Sequence, residues 1–159
     1  MFSLSSLSTR IRHLFLLVRA LPLLRHRENR ILLAEMRRFC RHLPVLLENS
    51  IPEAMSMVTP HEKRPFLPDE TTTRHLADLA AVLERKSPLG LCLRRSLVRY
   101  HYLRQLGLPL ILRFGAKLTH ANQQPSLTGH AWLTLNNRPY FEPEENWREF
   151  TVTLSWPPG

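Results

Sequence analysis

The chain has 159 residues, which is enough for one domain that buries a substantial core. Apolar residues make up 43% of it and charged residues 22%, so a disordered chain is excluded. Lys and Arg outnumber Asp and Glu by 22 to 13, and the resulting charge of +9 favours an acidic partner. Two cysteines exclude a disulfide scaffold and are typical of a reducing compartment, and no glycine-rich phosphate-binding pattern occurs.

The positive charge is concentrated in the first third of the chain. Residues 1–50 contain nine Arg and three Glu, a balance of +6, and the rest of the chain contributes the remaining +3. Such an asymmetry is typical of an interaction surface or of a solvated helix face.

The first predicted element is an amphipathic helix around residues 14–24. Arg19 interrupts its apolar run and Pro22 breaks it, so neither a signal peptide nor a membrane span is expected. Two interpretations remain open: a helix docked on its own domain, or a basic interfacial helix on anionic lipid or on a partner. Apolar residues at helical spacing predict a second helix over 28–49.

A proline-rich stretch, residues 50–70, predicts an extended linker. It divides the chain into a helical N-terminal region, residues 1–70, and a core, residues 71–159. Asp69 is the expected N-cap of a helix that runs to about Lys86.

The next helix begins near Cys92 and is closed by Gly107 and Pro109. A cysteine at a helix N-terminus meets the positive end of the helix dipole and free backbone N–H groups, which lower its pKa. Cys40 lies inside an apolar helical stripe and is interpreted as a buried small hydrophobe.

Short β-strands follow this helix. Residues 117–128 are predicted to form a long polar loop, and Asn136-Asn137 are predicted to form a hairpin turn. The predicted strands cover residues 110–116, 129–135, 138–142 and 150–154.

The second half therefore supplies Cys92 at a helix start, His130 at a strand start and Glu142 about one hairpin later. A Cys–His–acid peptidase needs these three groups: a thiolate nucleophile, an imidazole that moves protons and an acceptor that fixes its tautomer. The alternatives are a buried hydrophobe for Cys92, a satisfied core histidine for His130 and a solvated acidic run for Glu142. No zinc site is expected, because no close pair of Cys or His has a second pair to match.

Four stretches together resemble a specific family. They are C-L-R-R-S-L at 92–97, L-G-L-P at 106–109, F-G-A at 114–116 and H-A-W at 130–132. They are similar to the stand-alone leader peptidase of lasso-peptide biosynthesis, which corresponds to the C-terminal domain of the microcin-processing B protein. That family belongs to the transglutaminase-like cysteine protease superfamily. The likeness covers about residues 71–145.

Departures from the family pattern follow the histidine. Leu133-Thr134 and Asn136-Asn137 stand where members often carry Val-Glu and Asp-Gly, and Glu142 stands where many carry Asp.

The resemblance implies an α+β fold in which a helical N-terminal part precedes a transglutaminase/papain-like core. In that core the nucleophile lies at a helix N-terminus packed on a small antiparallel sheet. It implies Cys92 as nucleophile, His130 as base and Glu142 as the acid, with hydrolysis of one peptide bond and no cofactor or metal. Arg95 and Trp132 are expected to be structural or substrate-positioning. The backbone N–H of Cys92 is the expected first oxyanion donor.

The implied partners are the precursor (leader) peptide, a separate winged-helix leader-recognition protein and the lasso cyclase. A separate recognition protein is expected because residues 1–70 lack the strand pattern of such a domain. A cytoplasmic location is expected, and peripheral contact with the inner membrane face through the basic N-terminal helix stays an open option. Nucleic acid is not expected as a partner. Two competing hypotheses remain: another transglutaminase-like acyl-transfer enzyme or amidase, and a non-catalytic basic adapter that binds through residues 10–42.

Overall fold

The computed structural model describes residues 21–121 and 124–158, in which helices come first and an antiparallel sheet follows. The helices are α1 (Arg27–Leu46), α2 (Ile51–Val58), α3 (Glu70–Leu83), α4 (Leu91–Gln105) and a short α5 (Glu144–Trp147), with a 3₁₀ turn at Leu23–Arg25 before α1. The strands are β1 (Leu110–Ala121), β2 (Gln124–Leu135), β3 (Arg138–Pro139) and β4 (Thr151–Trp156). They form one sheet in the order β3-β2-β1-β4, which confirms the predicted α+β class.

The helix predictions hold for α1, α3 and α4, whose boundaries agree with the expected ones to within about three residues. Asp69 caps α3 as predicted, since its carboxylate accepts a hydrogen bond from the backbone N–H of Thr72 at 3.0 Å. The predicted helix around residues 14–24 lies mostly outside the described residues, which begin at Leu21. Within the described ranges, no helix has the length and apolar character needed to cross a membrane.

The linker prediction was wrong over residues 51–58, which form α2. Glu53 accepts hydrogen bonds from the backbone N–H and the hydroxyl of Ser50, and Pro52 lies in the first turn, where its missing N–H costs nothing. Val58 is fully buried, so α2 contributes to the core. The division of the chain at residue 70 stays a prediction.

The loop prediction for residues 117–128 was also wrong over 117–121 and 124–128, and its remaining part, Asn122 and Gln123, lies outside the described residues. Over those two segments β1 and β2 form a two-stranded antiparallel ribbon in which Leu118 is the Cα partner of Leu127. The Asn136-Asn137 turn is confirmed: both residues have positive φ, 51° and 62°, as a two-residue type I′ hairpin turn requires. The returning strand is shorter than predicted and ends at Pro139.

The core lies between α1, α3, α4 and the inner face of the sheet. Cys40 is fully buried in it, and burial raises the pKa of its thiol to about 11, as expected for a structural cysteine. Arg99 on α4 donates two hydrogen bonds to the carboxylate of Asp78 on α3, at 2.5 and 2.7 Å. This buried bidentate pair fixes the position of α4 against α3.

Candidate active site

Cys92 is the second residue of α4 and is half-buried. The first backbone N–H that bonds within the helix belongs to Arg94 and reaches the carbonyl of Gly90, the N-cap, at 3.1 Å. The N–H groups of the first turn, including that of Cys92, are therefore free of helical partners. The Arg94 side chain donates to the carbonyl of Leu89 at 2.5 Å and holds the turn that leads into α4.

His130 lies on β2 opposite the start of α4. Its Nε2 lies 3.2 Å from Oε1 of Glu142, and its ring also hydrogen-bonds the Cys92 thiol. Because Nε2 faces Glu142, Nδ1 is the nitrogen left for the thiol. Three residues predicted to form the site are therefore brought together.

Two aromatic rings orient the imidazole. Trp132, two residues further along the same face of β2, stacks on it with a centroid distance of 5.7 Å and an interplanar angle of 16°. Phe150 packs against it at 5.3 Å. Trp132 is almost fully buried, which gives it a structural role beside His130.

Gly115 makes room for this stack. It is the cross-strand partner of His130 on β1, and an added Cβ would lie 2.8 Å from two ring atoms of Trp132. It would also lie 3.0 Å from Cβ of Phe150. No other residue type fits here without displacing the rings that support the histidine.

Glu142 is buried, with 2% of its side chain exposed, whereas the neighbouring Glu144 has 64% exposed. Arg95 donates to its Oε2 at 2.6 Å, and Asn146 donates to its Oε1 at 2.9 Å. Burial alone would raise the pKa of this carboxyl, but the hydrogen bond with His130 and the charge of Arg95 outweigh burial and hold the pKa below its usual value. Glu142 is thus separated from the solvated acidic run around it.

The thiol and the imidazole shift each other's pKa. Burial raises the pKa of Cys92, but the hydrogen bond with His130 and the backbone N–H groups of Ala131 and Leu93 outweigh it, so the pKa lies below its usual value. Burial lowers the pKa of His130, but its bonds with Cys92 and Glu142 raise it to about 9. The pair therefore favours a thiolate beside an imidazolium.

Ser96 connects the helix of the thiol to the strand of the histidine. Its hydroxyl donates to the carbonyl of Ala131 at 2.8 Å, one turn after Cys92. Ser96 and Gly115 lie within the C-L-R-R-S-L and F-G-A motifs, but the motifs assigned no role to either residue. Ser96 follows Cys92 by four positions and so shares its face of α4. Asn146 and Phe150 were not predicted, and no local pattern points to them.

A cavity of about 280 Å³ opens beside the thiol. Three of the chain's five glycines line it, Gly90, Gly115 and Gly129, together with Leu93 and Phe114. Walls of this kind allow another backbone to approach closely.

The outer edge of β2 runs along this cavity. The carbonyl of Leu133 accepts a hydrogen bond from the N–H of Tyr140, and the carbonyl of Ala131 accepts one from the hydroxyl of Ser96. The odd-numbered residues of β2 therefore direct their backbone N–H and C=O groups away from β1. Gly129 and Leu127 point theirs to the same edge. β3 pairs only with Thr134 and Leu135, so the described residues place no strand beside Gly129 and Leu127.

Over residues 21–121 and 124–158, no cluster of three or more His, Cys, Asp or Glu is arranged to hold a metal ion.

Comparison with known proteins identifies the family. A family model described as the transglutaminase-like superfamily matches residues 17–155. No curated protein and no solved structure matches the chain with significance. The matched region contains the helix of Cys92, the strand of His130 and the turn of Glu142, and it spans most of the chain. The chain belongs to the transglutaminase-like superfamily.

Proposed function

We propose that the protein is a cysteine endopeptidase that cuts one peptide bond of a ribosomally made lasso-peptide precursor and so releases its leader. One observation carries the proposal: the half-buried thiol of Cys92 is hydrogen-bonded to His130, and the buried Glu142 hydrogen-bonds the other nitrogen of that ring. The superfamily is compatible with both hydrolysis and acyl transfer, and the choice of a leader peptidase rests on the C-L-R-R-S-L and H-A-W motifs.

In the first step the Cys92 thiolate attacks the scissile carbonyl carbon. In this mechanism the backbone N–H of Cys92 at the start of α4 donates to the developing oxyanion, a contact worth about 3 kcal/mol in comparable sites. The imidazolium of His130 then gives its proton to the amide nitrogen. The C–N bond breaks, the amine leaves and a thioester on Cys92 remains.

In the second step neutral His130 takes a proton from water, and the resulting hydroxide attacks the thioester carbon. The C–S bond breaks, which releases the carboxylic acid and restores the thiolate and the imidazolium. Glu142 keeps Nε2 protonated and directed toward itself, so that Nδ1 serves the reacting atoms throughout.

The cavity supports a peptide as the substrate. Its glycine walls leave room for an extended main chain, and Gly129 and Leu127 offer free peptide groups with which such a chain can pair as a strand. A small amide would use neither feature.

The wider assignment includes a separate winged-helix recognition protein that delivers the leader and a cyclase that closes the ring, both in the cytoplasm. The basic first third of the chain, with its balance of +6, is the candidate surface for one of them or for the membrane.

The test combines the purified full chain with a lasso precursor and its recognition protein, followed by mass spectrometry of the products. Wild type should give two fragments whose masses sum to that of the precursor plus one water, and Cys92→Ala should give none. Cys40→Ala, which removes the buried cysteine, is the matched control and should cut like wild type. Joined products in place of fragments would indicate acyl transfer, and cutting by Cys92→Ala would contradict the proposal.

A further inference from the structure

A second groove lies between α1 and α4, away from the thiol, with a volume of about 520 Å³. Its floor is aromatic: Phe39 stacks on His101 with a centroid distance of 4.3 Å, and Tyr102 meets both rings edge to face. Tyr102 is only 1% exposed, and Nδ1 of His101 donates a 2.7 Å hydrogen bond to the carbonyl of Val58. These contacts hold the floor rigid before anything binds.

The rim of this aromatic groove is cationic. Arg38 and His42 are exposed, and among the described residues Arg38 has no ion-pair partner. Arg41 shares the single carboxylate of Glu84 with Arg37, which leaves one positive charge in excess. Glu35, the one acidic residue among the described residues that line the groove, already forms an ion pair with Arg64.

We propose that the aromatic groove docks an acidic amphipathic helix of a partner protein. Its walls are two helices, and its α1 side presents Glu35, Phe39 and His42 at helical spacing, which is the geometry that receives a third helix. Apolar side chains of the incoming helix pack on Phe39, and its carboxylates face Arg38 and Arg41. The inference does not depend on the peptidase activity.

Charge and shape argue against other occupants. Residues 1–20 of this chain carry three Arg and no acidic residue, so their sequence lacks the carboxylates that a cationic rim favours. A membrane surface is bound by protruding apolar side chains, whereas here the rings form the floor of a concavity.

The groove is also separate from the thiol. Cys92 and His101 lie nine residues apart on α4, which is roughly 14 Å along a helix axis. A bound partner therefore leaves the cavity at Cys92 open, and docking and cutting can occur together.

The test uses the full chain and a fluorescein-labelled peptide of Glu, Ala and Leu whose leucines recur at i, i+3, i+4 and i+7. A scrambled peptide of the same composition is the peptide control. Arg38→Glu should raise the dissociation constant about tenfold, and Arg27→Glu, the same charge change at the far end of α1, less than about twofold. Circular dichroism confirms that both variants fold.

Anisotropy titration with the labelled peptides measures peptide binding, and sedimentation with phosphatidylglycerol vesicles measures lipid binding. Preference for the amphipathic peptide, lost in Arg38→Glu alone, supports the proposal. Equal binding of the scrambled peptide, equal weakening by both variants, or no peptide binding would overturn it. Vesicle binding that Arg38→Glu abolishes, without peptide binding, would assign the groove to lipid instead.

Discussion

His130 and Glu142 lie twelve residues apart in the chain, and Nε2 of the imidazole lies 3.2 Å from Oε1 of the buried carboxylate. This contact leaves Nδ1 of the ring for Cys92, and the hydrogen bonds with Cys92 and Glu142 together raise the pKa of His130 to about 9. The chemistry of the thiol therefore depends on a carboxylate that does not touch it.

Replacing Glu142 by Gln removes the negative charge and places an amide N–H₂ among the donors of His130, Asn146 and Arg95. We expect kcat to fall by about 10²-fold or more, since an imidazole in the wrong tautomer cannot serve the nucleophile. Steady-state cleavage kinetics measure this. Glu142→Asp should recover part of the rate, and the exposed Glu144→Gln should have no effect; a normal rate in Glu142→Gln would show that another group orients the ring.

The reactivity of Cys92 should depend on pH in a specific direction. The pKa of the thiol is lowered and that of His130 is raised to about 9, so the thiolate–imidazolium pair exists between the two values. The rate of iodoacetamide alkylation, followed by mass spectrometry, should be higher at pH 7 than that of an ordinary thiol, and it should change near pH 9, where His130 loses its proton. In His130→Ala the thiolate loses its partner, and alkylation should become slow at pH 7 and rise only in alkaline solution; identical profiles would contradict the pairing.

Substitution of Gly115 by Ala should damage both stability and activity. The new Cβ would lie 2.8 Å from ring atoms of Trp132, so the ring that supports His130 must move. Overpacking of this kind costs about 1–3 kcal/mol of unfolding free energy, which urea titration measures. Gly129→Ala is the matched control, because its Cβ meets nothing closer than 3.9 Å. Equal stability of the two variants would show that Trp132 moves freely.

Gly90→Ser should separate stability from reactivity. Serine is a good N-cap at a position with φ −60° and ψ 150°, so the free energy of unfolding should rise by about 0.3 kcal/mol. Its Cβ would lie 3.9 Å from Sγ of Cys92, on the side that an electrophile approaches. The unfolding temperature should therefore rise while the rate of alkylation of Cys92 falls. An unchanged alkylation rate would show that the electrophile reaches the thiol from another side.

The buried Asp78–Arg99 pair should be the most costly electrostatic contact to break. Asp78→Asn leaves the guanidinium of Arg99 buried without a counter-charge, and we expect a loss of about 3–5 kcal/mol of unfolding free energy. Glu144→Gln breaks the exposed pair with Arg148 and should cost less than about 0.5 kcal/mol. Comparable losses in both variants, measured by denaturant titration, would contradict the importance of burial.

Elements with strong local signals could be predicted from the sequence. The apolar periodicity after Cys92 and the closing Gly107 place α4, and two asparagines that tolerate positive φ place the hairpin turn. The same logic failed at α2, because the prolines around it indicate a break, although Pro52 occupies the first turn of a helix. It failed again over the described part of residues 117–128, where Leu118 and Leu127 are exposed and the sequence shows no apolar alternation.

The sequence by itself determined the charge asymmetry and the main helices, because composition and periodicity are local properties. Its motifs carried the resemblance that implied the α+β class and the three site residues. Only the tertiary structure decided which carboxylate reaches the imidazole: Glu142 is buried against it while Glu144 faces solvent. It also assigned Arg95 to that carboxylate across 47 positions of the chain. Such contacts depend on how α4 packs on the sheet, and packing between distant segments leaves no pattern in either segment alone.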